Sequence, residues 1–277
     1  MAVADTADML TAQGRSTTRK QMRKLLVAAA CGALIAVAGC GDSSEDATQT
    51  AAGQTQTPPT ATAGSSPPAT PSTVANTPAV DKEADQRIAD AAALKLSDLP
   101  SGWTASPDDS ESETMTCSGY DKLRNQATAR GHGLVFSNAS ENAEVIQNVW
   151  LYPDGRAPQQ IMDLFDDQEF INCYAAALAD SLKEAYEQAG KGVKVNDVKA
   201  SMLRVADQGD QSAGLRAAIE LNVDDTDVDA VMDVSLVRVG RGMELIATYA
   251  AFSPMSDTER DRLSAISVDR LSAALTT

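Results

Sequence analysis

Cys40 is the residue of this chain with the most specific chemistry. It closes the run Val37-Ala38-Gly39-Cys40, in which small residues precede a thiol. Such a thiol can receive a diacylglycerol, and cleavage just before it frees an amine that can take a further acyl chain such as palmitate. Two or three chains hold a protein stably at a membrane, whereas one binds only marginally. The run predicts that Cys40 is the lipidated first residue of a bacterial lipoprotein, with cleavage without a lipid as the alternative.

Residues 1–39 have the three parts of a signal peptide in the required order. Basic residues come first, the apolar run 25–36 follows, and the small residues before Cys40 come last. The apolar run is shorter than the about 20 residues that a membrane span needs, so it is interpreted as a signal segment. Translation from Met1 or Met22, and export by the general or the twin-arginine route, both stay open.

Cys117 and Cys173 are the only cysteines after Cys40. An even pair in an exported chain predicts a disulfide, which would close a loop of about 57 residues and stabilise the fold by about 4 kcal/mol. A redox pair is less favoured because redox thiols usually lie close together in sequence. A zinc site would need more ligands than these two.

Catalytic signatures are absent from the sequence. The single histidine, His132, lies between two glycines, and no Gly-x-Ser-x-Gly or GxxxxGK[ST] pattern is present. A Ser-His-Asp triad built on His132 stays an alternative, but no serine is marked as its nucleophile. The sequence therefore predicts no catalytic residue and no cofactor, and whether the chain is an enzyme is left uncertain.

An acidic cluster is the weak candidate for a metal site. Carboxylate and amide oxygens this dense can hold Ca²⁺. The spacing nevertheless departs from the EF-hand pattern, because an aspartate stands where glycine is needed. A solvated hairpin tip is the favoured interpretation, and no metal is expected. The residues concerned are Asn222, Asp224, Asp225, Asp227 and Asp229.

Trp150 and Tyr152 are the speculative ligand-binding residues. They stand near the end of an apolar run, just before Pro153-Asp154-Gly155. Large aromatic side chains are more often core than ligand platform. If the fold has a cleft beside this run, these two side chains are the first candidates to line it.

The charge of the exported part excludes a class of partners. The chain has 23 basic and 39 acidic residues, of which the first 39 positions hold 5 and 2. The remainder keeps 18 basic and 37 acidic residues, a net charge of about −19. Nucleic acids and anionic headgroups bind through clustered Lys and Arg, so no nucleic-acid partner is expected.

Composition divides the exported part in two. Residues 40–80 are rich in Thr, Ser, Pro and Ala and almost free of large apolar residues, which predicts a disordered tether. Residues 81–277 are long enough to bury a core and are expected to form one globular α+β domain. Glycosylation of the tether and the oligomeric state are not indicated by the sequence.

The periodicities of 81–277 predict helices at both ends of a β-rich region. Helical patterns cover 81–96, 157–166, 168–188 and a stretch capped by Ser256, and strand patterns cover 134–136, 145–152, 193–205, 213–223, 228–239 and 243–252. The last four strands follow each other through short turns. The expected class is therefore α+β, an antiparallel sheet of about five to six strands with flanking helices.

Short motifs of the domain resemble those of exported actinobacterial lipoproteins. These motifs are Leu96-Ser97-Asp98-Leu99-Pro100-Ser101-Gly102-Trp103, a cysteine soon after it, a helix with a second cysteine, and a terminal run from Asp269 to Leu275. The domain is also similar to the extracellular sensor domains of mycobacterial receptor serine/threonine kinases. That resemblance implies a PsbP-like antiparallel sheet flanked by helices, with a cleft for an unidentified ligand. Typical sensor domains have two disulfides, whereas this one can form one.

The expected function is that of an envelope protein anchored to the cell membrane on its extracytoplasmic side. Its domain is expected to bind a small molecule or a protein of the envelope without catalysis. The alternatives are an envelope hydrolase with an unpatterned active site and an assembly factor for an envelope complex. A perturbed acid in a cleft would favour the hydrolase, and an exposed flat apolar patch would favour a protein partner.

Overall fold

An antiparallel sheet with helices on both faces forms the described part of the chain. The computed structural model describes residues 81–107, 117, 119–131, 133–189 and 192–277. Cys40, the signal peptide 1–39, the tether 40–80 and His132 lie outside these residues. No helix within the described part is long and apolar enough to cross a membrane.

The described residues form five α-helices, a 3-10 turn and eight strands. The helices are α1 (Lys82–Ala92), α2 (Tyr120–Arg124), α3 (Arg156–Phe165), α4 (Gln168–Ala189) and α5 (Asp257–Leu275), and the 3-10 turn is Leu96–Asp98. The strands are β1 (Thr104–Pro107), β2 (Ala129–Gly131), β3 (Leu134–Asn138), β4 (Ala143–Leu151), β5 (Val193–Met202), β6 (Gln211–Val223), β7 (Thr226–Val239) and β8 (Gly242–Ala251).

All strand pairs are antiparallel, and the strand order is β1-β3-β4-β8-β7-β6-β5. The short strand β2 pairs with the C-terminal end of β4, beside β3. The α+β class is confirmed, but the expected five to six strands become eight in the described residues. The two missed strands, β1 and β2, have four and three residues. A segment this short gives too few alternations to be recognised as a strand.

Alternation along β6 and β7 separates two different faces of the sheet. On one face, Leu215, Ile219 and Leu236 are at most 2% exposed and belong to the main core. On the other face, Arg216 and Asp233 stand opposite each other in register and form an ion pair. The period of two, read from the sequence, therefore placed apolar and charged side chains on the correct sides.

Each face of the sheet has its own pair of helices. Ile161 of α3 and Phe170 of α4 pack into the main core on one face. Leu263 of α5 packs on the opposite face with Phe136 and Ile246, and smaller side chains of α1 complete that layer. β4 and β8 lie in the middle of the sheet and are covered on both sides, so nearly all of their residues are buried.

Side-chain caps begin the first and the last helix. Asp81 accepts hydrogen bonds from the backbone N–H groups of Glu83 and Ala84 at 3.1 and 3.0 Å. Ser256 accepts one from the backbone N–H of Glu259 at 3.2 Å. Both caps stand where the sequence predicts helix starts, because short polar side chains satisfy the free N–H groups of a first turn.

The structure joins Cys117 to Cys173 by a disulfide, as the sequence predicts. The two Cα atoms are 5.7 Å apart, which is an ordinary distance for this bond. Cys117 is 1% exposed and packs in the main core beside Tyr120. The bridge attaches the segment before α2 to α4.

Candidate functional site

A cleft of about 550 Å³ opens at the end of the sheet where β4 begins and β8 ends. Its walls are the turn between β3 and β4, the loop before β1 and the loop from β8 to α5. Its volume lies in the range of small-molecule binding sites. The side chains that matter for its chemistry are Pro100, Trp103, Glu141, Asn142, Phe252, Pro254, Met255 and Glu259.

Two residues with left-handed backbone conformations meet in this cleft. Asn142 has φ 51° and Phe252 has φ 75°. A positive φ is tolerated by asparagine in a turn, but it is a true outlier for a bulky phenylalanine. The backbone N–H of Ala251 donates to the carbonyl of Asn142 at 3.1 Å, and the N–H of Phe252 donates to that of Asp229 at 3.0 Å. These bonds hold both unusual conformations in place.

The strained backbone turns the ring of Phe252 outward. Its side chain is 47% exposed, although phenylalanine is among the residues most often found inside a protein. Strained conformations of this kind cluster at binding and catalytic sites, because the surrounding structure must hold them against their tendency to relax. Phe252 therefore marks the cleft as a candidate functional site.

Asn142 brings an unsatisfied polar atom to the same cleft. The residue is 3% exposed, and its Oδ1 has no hydrogen-bond partner within the part of the chain that the structure describes. The neighbouring Asn138 differs, because its Oδ1 accepts from the backbone N–H of Ser140 at 3.1 Å and from the Ser140 hydroxyl at 2.7 Å. A buried oxygen without a partner is costly, and a ligand donor would satisfy it.

The charged residues of the cleft are acidic. Glu141 is exposed, and Glu259 is held by a bidentate ion pair in which Arg262 donates at 2.7 and 2.8 Å. The bond from Arg262 lowers the pKa of Glu259, so this carboxylate is ionised at neutral pH. Among the described residues that line the cleft, none is Lys, Arg or His. Its electrostatics therefore disfavour an anionic ligand.

Trp150 and Tyr152, the ligand-binding candidates from the sequence, lie in the core. They are 6% and 0% exposed and pack in the main core with Ile161 and Phe170. Both rings lie beneath α3 and α4 and outside the cleft. Burial also raises the pKa of Tyr152 above its ordinary value. The tryptophan that lines the cleft is Trp103, which nothing in the sequence marks for this position.

The acidic cluster forms the tip of the β6–β7 hairpin, as favoured from sequence. Asp224 and Asp225 are the two turn residues, with φ 49° and 62°, which is the geometry of a type I′ turn. Asp227 accepts from the side-chain amide of Asn222 at 2.9 Å, and Asp229 lies further along the exposed face. Within the described residues, no group of three or more acidic, His or Cys side chains is placed to hold a metal.

A buried acid lies elsewhere in the fold. Glu244 is 0% exposed beneath α5 and accepts a hydrogen bond from the Ser264 hydroxyl at 3.2 Å. Burial raises the pKa of Glu244 well above its usual range, because a charged carboxylate there would lose its hydration. The side chain does not line the cleft. It therefore does not supply the acid in a cleft that the hydrolase hypothesis requires.

Comparison with known proteins finds a likeness among solved structures only. No family model matches the chain, and no curated protein matches it. Among solved structures it is similar to the extracellular domain of PknH from Mycobacterium tuberculosis, at 13% sequence identity and a TM-score of 0.37. The likeness covers 68% of this chain and 96% of that one. At this TM-score it carries no argument about the function or the site of this chain.

Proposed function

We propose that this chain is an envelope lipoprotein whose domain binds a ligand or partner in the cleft without catalysis. The observation that carries the proposal is the meeting of Phe252 and Asn142 in one cleft. Phe252 presents an apolar ring, Asn142 lines the wall with a buried oxygen that has no partner among the described residues, and both residues have left-handed conformations. Ligand sites combine an apolar wall with a few placed polar groups in this way.

Strain and exposure together favour binding over a purely structural role. A left-handed residue with a side chain costs roughly 1–2 kcal/mol, and a relaxed backbone at 252 would avoid this cost. The ring gains little burial in return, since nearly half of it stays in water. A ligand that covers the ring would bury this apolar surface and so compensate for the strain.

The proposed location is the extracytoplasmic side of the cell membrane. The run that ends at Cys40 and the signal segment before it support export and lipid anchoring. The Cys117–Cys173 bridge also favours this side, because disulfides persist in oxidising compartments and are rare in the cytosol.

Replacement of Cys40 with alanine is expected to remove the anchor, because no thiol would then follow the small residues at the cleavage position to take the diacylglycerol. The variant should appear in the medium, or stay in the membrane with its signal peptide attached. Partitioning into a detergent phase, followed by intact-mass measurement, distinguishes these forms from the wild type. Cys31→Ala is the matched control, and it should leave partitioning unchanged. Equal partitioning and equal acylated mass of Cys40→Ala and wild type would refute the lipid anchor.

Native mass spectrometry of the full chain purified from envelopes tests the binding function. The wild type is expected to carry an additional mass, and Phe252→Gly combined with Asn142→Gly is expected to lose it. Glycine accepts a positive φ, so both replacements keep the local backbone and remove only the side chains that face the ligand. Met202→Ala alters a side chain that is 62% exposed elsewhere on the domain and is the control. A mass retained by the double variant would count against the cleft.

A further inference from the structure

The cleft offers charge and hydrogen-bonding features that restrict its ligand. The carboxylate of Glu141 would repel phosphates, carboxylates and sulfates, and no Lys, Arg or His among the described lining residues would attract them. The N-terminus of α5 opens nearby, and its partial positive charge would ordinarily favour an anion. The first turn of that helix already contains Asp257 and Glu259, which oppose this effect. These charges disfavour an anionic ligand.

Attraction of a cation is also weak here. Glu259 accepts hydrogen bonds from Arg262 with both of its carboxylate oxygens. The positive charge of the guanidinium therefore compensates the negative charge of Glu259. Glu141 is exposed to water, where a single ion pair contributes little. A neutral ligand fits the electrostatics of the cleft better than an amine or a basic peptide.

The unpaired atom of the cleft is an acceptor. The Oδ1 of Asn142 needs an O–H or N–H donor from the ligand, because no described residue supplies one. Proline-rich peptides have few N–H groups and present mainly carbonyl acceptors, so they do not match this requirement. A ligand with several hydroxyl groups does match it, and the hydroxyls of Ser101 and Ser253 on the walls can pair with further hydroxyls.

The other requirement is an apolar face. The ring of Phe252 is exposed at the cleft, and Pro254 and Met255 continue the apolar wall. A pyranose ring combines hydroxyl groups around its edge with a face of C–H groups, which packs against an aromatic ring. We propose that the cleft binds a neutral oligosaccharide, with a sugar face on Phe252 and a hydroxyl donating to Asn142. This inference rests on the proposed ligand-binding function.

Titration of the full chain in detergent micelles with neutral trisaccharides tests this proposal. Maltotriose, cellotriose and arabinotriose serve as probes, and the fluorescence of Trp103 reports on the cleft. The titration uses the Trp150→Phe variant, in which Trp103 is the single tryptophan of the chain. Wild type is titrated in parallel, and its buried Trp150 adds a constant background to the emission. At least one trisaccharide is expected to give a saturable change in Trp103 emission.

Matched variants assign the contacts. Phe252→Leu should weaken trisaccharide binding about tenfold because the aromatic face is lost, whereas Phe252→Tyr keeps the ring and should bind within about twofold of wild type. Asn142→Gly should weaken binding about fivefold because one hydrogen bond is lost. Met202→Ala should not change it. Trisaccharide binding that is unaffected by Phe252→Leu and Asn142→Gly would overturn the proposal.

Two further probes separate failure of this inference from failure of the proposed function. If trilysine or octaproline saturates the Trp103 signal and no saccharide does, the oligosaccharide assignment is wrong while the binding function stands. If no probe changes the signal, the oligosaccharide assignment is wrong. If the envelope-purified chain also carries no additional mass, the proposed binding function is wrong as well.

Discussion

Replacement of Asp233 with alanine is expected to lower the free energy of unfolding by about 3–5 kcal/mol, since it removes the buried carboxylate that accepts both hydrogen bonds of Arg216. Asp233 is 1% exposed on the face of the sheet beneath α5. Its two carboxylate oxygens accept from Arg216 at 2.6 Å each, and Arg260 of α5 lies 3.5 Å away. The hydrogen bonds that Arg216 donates to Asp233 raise the pKa of Arg216, so that guanidinium stays charged.

Arg260 extends this network to α5 and keeps other partners when Asp233 is removed. Its side chain is 1% exposed, and it also pairs with Asp257 and Asp261 at 2.9 and 2.8 Å. It further donates to the backbone carbonyl of Arg204 at 3.2 Å. The network thus attaches the first turns of α5 both to the sheet and to the segment that precedes β6.

Urea unfolding followed by far-UV circular dichroism measures this effect. Asp180→Ala is the matched control, because it removes a carboxylate whose pair with Lys183 is exposed on both sides, and such pairs contribute about 0–1 kcal/mol. An Asp233→Ala variant within about 1 kcal/mol of the Asp180→Ala control would show that the network does not stabilise the fold as argued.

Removal of the disulfide in a Cys117→Ser, Cys173→Ser variant is expected to lower the free energy of unfolding by about 4 kcal/mol. The bridged residues are 56 positions apart, and a bridge across a loop of this length strongly restricts the unfolded chain. The substituted serines would also place a hydroxyl in the core at position 117, where exposure is 1%. The loss should therefore be no smaller than the chain-entropy value.

Unfolding of wild type and variant with and without dithiothreitol measures the contribution of the bridge. The reductant should destabilise the wild type and leave the variant unchanged, since the variant has no bridge to reduce. Mass spectrometry of unreduced peptides should find the fragments that contain Cys117 and Cys173 joined. Two free thiols in freshly exported protein, or equal stability of the two chains, would contradict the expectation.

The larger elements were predictable because their signals are local and repeated. The alternation runs from Leu215 to Val223 in β6 and from Asp227 to Leu236 in β7, so the strands and their buried face follow from sequence. The caps at Asp81 and Ser256 are likewise local, because the capping side chain and the N–H groups it accepts from lie within three residues. The boundaries of these larger elements differ from the predicted ones by a few residues.

The cleft was not predictable, because its parts are distant in sequence and depend on backbone angles. The pairing of β4 with β8 brings Asn142 and Phe252 together. Two helices and three strands separate these two strands along the chain. Nothing in the sequence around Phe252 marks a positive φ, since that conformation normally favours glycine. The burial of Trp150 and Tyr152 was not predictable for a related reason, because the sequence does not reveal that helices cover both faces of β4.

Oxidative footprinting of the protein in intact cells and after purification in detergent tests the central claim most directly. Hydroxyl radicals modify exposed Phe and Met side chains, so the method reports on Phe252 and Met255 whatever the ligand is. Met202 lies on β5 outside the cleft and is the internal reference. If the cleft holds a ligand in the envelope, Phe252 and Met255 should be protected in cells relative to purified protein, while Met202 is modified equally in both. Equal modification of all three residues in the two preparations would contradict the account.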